Sequence, residues 1–464
     1  MNIIKKIKSV FGMAEEEDKD LVTLITEGAI DKAKAKFTNK QDKVKKALSE
    51  WNIEQHAIMD RPDKILTKGT IVESWNIPLP YQRKIVQSGV AFLYGKPVKF
   101  KQESEGTDKA FKALMDLRKE MRMPAKDQKC AEIVKSETQC VKLFVPYRDS
   151  NADKADLSKP NSVRCIILAD SLGDIIHVSF DNYGVLRAVG REYSVAVGNK
   201  KIEHFDVYTP EFTYYCDRTG GSWNMKPEVN IIGKIPMVLM TQDDPEWSLV
   251  QKLIVRREYS SSARADNIDR TADPILLLEG KPLSLPNAKE TGKVVVLAEG
   301  GKASYLVPQM SIDMVKNEQE DLDRAILYFT DTVDLHSQEG ASIGQDSGKA
   351  LEMKYFGPLL KAMSQHGTYE EYHDRENNIL MACIAKIIDP SSEMEQQVRD
   401  LQVSMEFGNP LPDNTADYLN SLSLAVGGKA IMSRKTAVEL NPLVKDADAE
   451  NIELKNEELS TIVD

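Results

Sequence analysis

Four groups of residues in this 464-residue chain have types and spacing that invite a chemical reading. The first is Ile343 to Ala350, IGQDSGKA, which approximates a phosphate-binding loop. Such a loop needs an early glycine, so that backbone N–H groups can wrap the phosphates, and a Ser or Thr after its lysine to hold magnesium. Here Ile343 takes the glycine position and Ala350 the hydroxyl position, and no strong strand runs into the loop, so nucleotide binding is not expected. The second group is two acidic pairs, Asp266 with Asp269 and Asp321 with Asp323. Two-metal hydrolysis needs carboxylates converging from several elements. Both pairs lie in helical, charge-rich stretches and read as solvated faces. The third is the histidines at 56, 177, 204, 336, 366 and 373, with no H-x-x-x-H; His366 and His373 are seven apart, but a break at Gly367 should separate them. The fourth is the cysteines at 130, 140, 165, 216 and 383, odd in number and without C-x-x-C. They suit a reducing compartment better than a disulfide framework or a structural zinc site. With no G-x-S-x-G elbow either, no catalytic residues, metal ligands or cofactor are assigned.

Composition points the same way. Hydrophobic content of 41% with 29% charged residues is that of a globular chain long enough for two or more domains. No apolar run approaches a membrane span, and the start, MNIIKKIKSVFGM, lacks the apolar core of a signal peptide. It reads as a short surface helix, with membrane association as the alternative. Net charge is −11, and no basic patch suited to gripping duplex DNA is evident.

The elements that would carry these residues read as an α+β protein. Residues 20–58 are rich in Lys, Glu, Ala and Leu and predict helices, with Trp51 as an anchor. Between Pro80 and Gly95, the residues Ile85, Val86, Gly89, Val90 and Leu93 form one apolar helix face. Pro78 and Pro80 keep its entry extended. Gly95 is expected to cap the end, and Gly89 to admit a second backbone. Residues 107–137 predict helix, interrupted near Pro124. From Cys140 the runs CVKLFVPY, VRCIILAD, IIHVSF, GVLRAVGREYSVAV, KIEHFDVYT and FTYYCD predict half-exposed antiparallel strands ending near Ile235-Pro236-Met237. A helix from Trp247 to Arg270 follows, then an insert whose strands are ILLLEG and KVVVLAEG, with a hairpin at Gly300-Gly301. A second helix starts at Ser311, with Asp313 in its first turn and a seam of Ile312, Val315, Gln319, Leu322, Ile326 and Phe329. Residues 336–348 predict a polar, mobile loop. Lys349 to Ile388 predicts a long helix broken near Gly357-Pro358, LQVSMEF a strand, and 414–464 an acidic helical end.

Ile77-Pro78-Leu79-Pro80-Tyr81 through Ile85-Val86, then Gly89 through Tyr94-Gly95-Lys96-Pro97-Val98, resembles the N-terminal signature of portal proteins from long-tailed bacteriophages. Trp247 to Pro274 is similar to that family's "I-x-x-x-D-x-x-x-S-x-x-x-N" helix, with the pattern's Asp replaced here. Ser347-Gly348-Lys349-Ala350-Leu351 resembles its "S-G-x-A-L", and Met405-Glu406-Phe407 with Pro410-Leu411-Pro412 its strand and turn. The resemblance covers roughly Phe37 to Glu450.

The resemblance implies a portal fold: an α/β wing at 1–245, a two-helix stem at 246–270 and 311–331, a small β-containing clip at 271–310, a tunnel loop at 332–348, the wing's long helix and returning strand at 349–413, and a helical crown at 414–464. It implies a non-enzymatic cyclic homo-oligomer, usually of twelve copies, at one capsid vertex, assembled in the host cytoplasm and retained in the virion. Double-stranded DNA passes through its channel during packaging and ejection. Its partners would be the terminase large subunit, a head-completion or adaptor protein, and the major capsid and scaffolding proteins, with no membrane. His336, Ser337, Gln338, Ser342, Gln345 and Lys349 would face the DNA. Leu253, Ser261, Ala263, Ile312, Val315, Leu322 and Ile326 would pack neighbouring stems. An acidic wall would let DNA slide; simple solubility explains the charge equally well. The alternatives are a metal-dependent DNA-processing enzyme using the acidic pairs, or another virion ring or scaffold protein.

Overall fold

The structure is a computed structural model that describes residues 19–38, 40–65, 69, 71–149, 159–198, 200–272, 275–280, 282–284, 296–306, 312–333, 355–410, 415–444 and 446–463. The N-terminal surface helix, the phosphate-loop-like stretch and all six residues expected to face DNA lie outside them.

The chain opens with α1 (Leu21–Thr26), capped by the Asp20 carboxylate, then α2 (Ile30–Phe37) and α3 (Gln41–Trp51). A short hairpin, β1 (Lys64–Ile65) with β2 (Ile71–Val72), precedes an extended run into α4 (Tyr81–Tyr94). After β3 (Lys99–Gln102) come α5 (Asp108–Glu120) and α6 (Met123–Glu137). Arg122, at φ 54, separates these two helices, and Pro124 falls in the first turn of α6, where a missing N–H costs nothing.

Two antiparallel sheets follow. In the larger, β6 (Ile175–Phe180), β7 (Leu186–Val197), β8 (Lys200–Tyr208), β9 (Phe212–Thr219) and β10 (Ser222–Val229) form a meander. Pro227 is tolerated because β10 is an edge strand. The sequence reading missed β10, whose polar run SWNMKPEV carries no alternation. One face of the meander is covered by α1 and α2 through Leu21, Ile25, Ile30, Phe205 and Val207.

The smaller sheet is β11 (Met237–Thr241), β4 (Gln139–Tyr147) and β5 (Ser162–Leu168), with β4 central. The half-exposed expectation fails for β4, which is buried on both faces. Val141 and Leu143 meet Ile176 and Val189 of the meander, while Cys140 and Phe144 enter a helical core. That core is completed by α9 (Phe356–Cys383), α10 (Ser392–Asp400) and β16 (Val403–Glu406), which pairs with β3. All five cysteines are buried free thiols.

Between β11 and α9 lie α7 (Gln251–Ala272) and α8 (Ile312–Phe329), joined by a small β insert. In it, β12 (Ile275–Glu279) pairs with β15 (Lys302–Leu306), and β13 (Pro282–Ser284) with β14 (Val296–Leu297). Both ILLLEG and KVVVLAEG contribute strands as expected, but each pairs with a strand the sequence reading did not contain. The Gly300-Gly301 turn joins β14 to β15, because KASYL, unread in the sequence, supplies the partner of ILLLE.

Three further expectations are corrected. Gly95 follows α4 in a right-handed conformation, so its glycine is explained by crowding: a Cβ there would meet the Ala91 carbonyl and Pro410. Gly89 faces the aliphatic stem of Lys135, 3.5 Å from where a Cβ would lie, and no second backbone. α9 runs unbroken past Gly367 and simply begins at Gly357-Pro358, where proline fits the first turn. His366 and His373 therefore do share a face: both contact the Phe407 ring, at 4.3 Å and 6.1 Å. The C-terminal part consists of α11 (Thr415–Val426), α12 (Arg434–Leu440) and α13 (Ala447–Val463).

Candidate functional site

The α7–α8 pair and its root carry most of the polar geometry. One face of α7 presents Glu258, Ser262 and Asp266, four residues apart. Against it lies the extended run from Trp75 to Leu79. Leu79 N–H donates to Glu258 Oε1 at 2.9 Å, Ile77 N–H to Ser262 Oγ at 3.0 Å, and Trp75 N–H to Asp266 Oδ1 at 2.9 Å. Four helical residues rise about 6 Å, and two extended residues advance about 6.5 Å, so the two repeats stay in register for three rungs. Prolines occupy the alternate positions 78 and 80, where no N–H is needed. His56 Nδ1 adds a 2.6 Å contact to Glu258, and the Trp75 indole donates to Asp269.

Asp266 is the strongest rung. Arg61 and Lys64 reach its Oδ2 at 2.7 and 2.5 Å. Burial alone would raise its pKa, but the hydrogen bonds from Lys64, the Trp75 N–H and Arg61 outweigh that and hold it at about 2. The reading of the acidic pairs as solvated faces is thus wrong for Asp266, which is buried. Its oxygens are already used by cations of the same chain. Asp323 likewise takes Arg257 Nε at 2.7 Å and the Tyr81 hydroxyl. The exposed Asp321 pairs with Arg324, at 3.6 Å.

α7 and α8 pack against each other through polar contacts as well as the apolar seam. Arg256 bonds Glu318 at 2.6 Å, Arg264 bonds Gln319 at 2.9 Å, and Ser260 reaches Glu318 at 3.2 Å. Ile326 is fully buried by its own chain, among Ala47, Ile85, Val86, Trp247, Val250 and Ile254, with Leu253 packed against that cluster. Both residues help seat the helix pair on the α3–α4 layer, and the apolar partners of Ile326 are intramolecular rather than on a neighbouring stem. Trp51 does act as an anchor, stacking on buried Trp247 with ring centroids 5.7 Å apart. Ser261 is half-buried and takes a bond from Arg257. Ala263, Val315 and Leu322 are half-buried, and the Ile312 side chain is outside the description. Ser260 and Ser262, on either side of Ser261, are both buried within the chain.

At the root, Glu246 lies between Lys135 (3.4 Å) and Lys361 (2.6 Å), and Lys361 also donates to the Thr330 carbonyl at 2.8 Å. Burial would raise Glu246 and lower Lys135; for Glu246 the two ammonium groups win and its pKa falls. This bridge ties α6, the approach to α7, the end of α8 and the start of α9.

A second buried network lies in the helical core. Lys142 on β4 pairs with Asp127 and, at 2.5 Å, with Glu376; Arg118 also holds Glu376. Asp127, His373 and Glu376 offer ligand atoms within 4.8 Å of one another. Two cations of the chain already neutralise both carboxylates, so the cluster reads as an ionic tie between α5, α6, β4 and α9. Burial opposes charge on Lys142 and Glu376, yet their mutual attraction keeps both ionised, Lys142 well above and Glu376 well below their usual ranges.

The rungs on α7 were the functional feature missed in the sequence. The available signal was the i, i+4, i+8 run of Glu258, Ser262 and Asp266 combined with an extended segment having prolines at alternate positions.

The chain is thus an α+β body bearing a braced helix pair joined by a small β insert. Comparison with known families agrees. The family model described as "Phage portal protein, SPP1 Gp6-like" matches residues 25–462. The chain belongs to that family: it is a phage portal protein, a component of the capsid vertex. Solved structures similar to it include the neck of an empty GTA particle computed with C6 symmetry (TM-score 0.44, 10% identity, 78% of this chain and 90% of that chain). The neck of a native GTA particle computed with C12 symmetry gives 0.42, 10%, 78% and 90%. The virion of a native gene transfer agent particle gives 0.39, 10%, 77% and 88%. No curated protein matches significantly. Among the described residues no helix is long and apolar enough to cross a membrane.

Proposed function

We propose that copies of this chain close into a ring whose α7–α8 pairs stand side by side as the stem around a channel for double-stranded DNA. The body up to β11, with α9, α10 and β16, forms the wing, and the β12–β15 insert the clip that meets the packaging motor and later a head-completion protein. The 332–348 segment follows the DNA as the tunnel loop, and α11–α13 form the crown. The role is structural, with no catalytic step assigned to this chain.

The observation that supports this reading is the opposite charge of exposed residues on the two helices. On α7, exposed Lys252 and Tyr259 flank Arg256, which Glu318 of α8 already holds at 2.6 Å; among the described residues Lys252 meets no carboxylate. On α8, Asp313, Met314, Glu318 and Asp321 are among the residues lining a shallow groove; Glu318 is taken by Arg256, and exposed Asp313 and Asp321 keep the groove acidic. One chain carries both halves of a complementary pair on different faces, which is the requirement for head-to-tail contacts that close into a ring.

The test uses two single variants. Asp321→Lys sets two basic faces against each other, and Lys252→Glu two acidic ones, so each alone is expected to assemble poorly. Mixed in equal amounts, they restore unlike pairs at every contact when subunits alternate. Mass photometry should show rings for the wild type and for the mixture, and smaller species for each variant alone. Single variants that form rings as well as the wild type would refute the assignment.

A further inference from the structure

On the opposite side of α9 from the stem root lies a cleft of about 400 Å³ that the portal architecture does not account for. Its floor is apolar, built from Met381 of α9, Val398 of α10, and Leu401 and Val403 leading into β16. Its rim is cationic. Lys234 lines it, and Arg375 and Lys386 stand close enough to Lys234 that their charges, after burial, depress its pKa. Among the described residues none of these three cations meets a carboxylate. Lys234 bonds the Asn378 carbonyl at 3.3 Å, Lys386 the Ile232 carbonyl at 2.9 Å, and Arg375 the Ile235 carbonyl at 3.2 Å. In a chain of net charge −11, three neighbouring cations without a counter-charge are unusual. Arg399 adds a fourth at the rim, shared with Glu395 at 3.4 Å. The carboxylate on the lining is Asp374, whose pKa is raised by burial and then by Glu370.

Asn377 supplies an independent observation. It lines the cleft, is 3% exposed, and its Oδ1 accepts from Arg118 at 2.9 Å. That bond fixes the amide orientation, leaving Nδ2 as a buried donor with no acceptor among the described residues. Finally, among the described residues β16 pairs with β3 alone, so its other edge has no strand partner there.

We propose that this cleft docks a short extended acidic segment of a partner protein, its aliphatic side chain on the Met381–Val398–Leu401 floor and its carboxylate against Lys234 and Arg375. The Asn377 Nδ2 donates to the same segment. A nucleic acid backbone would offer the anion but nothing for the apolar floor. The proposal is independent of the ring, since every lining residue belongs to one chain.

The experiment uses the full-length protein and a short fluorescein-labelled peptide of alternating leucine and glutamate, followed by anisotropy. Saturable binding is expected, weakened at least about tenfold when glutamine replaces glutamate, and by a similar factor in Lys234→Glu. Arg399→Glu, at an exposed position, provides a second variant should Lys234→Glu alter the fold, which circular dichroism melting checks. Equal binding of the acidic and neutral peptides, or full binding by both variants, would overturn the proposal. Displacement of the peptide by duplex DNA at equal charge would assign the site to nucleic acid instead. Variants that change oligomer size while leaving peptide affinity unaltered would assign it to a second copy of this chain; either result also overturns it.

Discussion

Asp266→Asn tests the register between the Trp75–Leu79 segment and α7. The substitution keeps the shape of the side chain but removes the charge that Arg61 and Lys64 meet at 2.7 and 2.5 Å. A carboxyl moved from 3.8 to about 2 on folding corresponds to about 2.5 kcal/mol by linkage. Lys64 is one-third exposed, so solvent screening reduces this, and a loss of about 1–2 kcal/mol is expected. That is a factor of about 5–30 in the opening equilibrium. Hydrogen exchange should report it as faster exchange at the Trp75 amide, with Ile77 following and Leu79, held by Glu258, least affected. The same carboxyl gives a pH signature. Its folded pKa is depressed, so its contribution is fully present above about pH 4 and is lost as pH falls toward 2. Wild-type stability should drop across that window more than that of Asp266→Asn. Unchanged Trp75 exchange in the variant, or equal acid sensitivity of the two proteins, would refute the register.

Other substitutions probe the remaining ties. Lys142→Met leaves Asp127 and Glu376 facing each other with only Arg118 between them, and should cost about 3–5 kcal/mol in denaturant unfolding. Asp206 behaves oppositely to Asp266. Burial raises its pKa to about 6, so folding weakens as pH rises from about 4 to 6. Asp206→Asn, which can still accept from the Tyr193 hydroxyl at 2.9 Å, should stabilise the protein at pH 7 by about 1–3 kcal/mol and flatten that slope in thermal melts. Glu246→Gln removes the charge between Lys135 and Lys361 and should lower the melting temperature while increasing exchange at the end of α8. Shortening the chain between His336 and Ser347 should leave rings visible by negative-stain imaging while impairing DNA packaging; loss of the rings would make the segment structural.

The sequence by itself determined the element types wherever one physical signal was strong. Ile85, Val86 and Leu93 at helical spacing gave α4, β-branched alternation gave β5 to β9, and the separation of ILLLEG from Trp247 by helix-forming residues gave the helix–insert–helix order. It also carried the family signature, in which Pro78 and Pro80 meet local backbone demands, whereas Gly95 answers in part to crowding by Pro410. What it could not contain is which partner each residue meets. β4 alternates like a half-exposed strand, but its polar member Lys142 points into a core where Asp127 and Glu376, from distant helices, neutralise it. Asp266 looks like any surface acid until Arg61, Lys64 and the Trp75 amide converge on it. Ile326 fits a seam facing a neighbour until Trp247 and Ile85 enclose it. Periodicity is a property of adjacent residues, whereas burial of a charge or an apolar group depends on other segments, from 15 residues away for Asp127 to 234 for Glu376, and only their packing decides it.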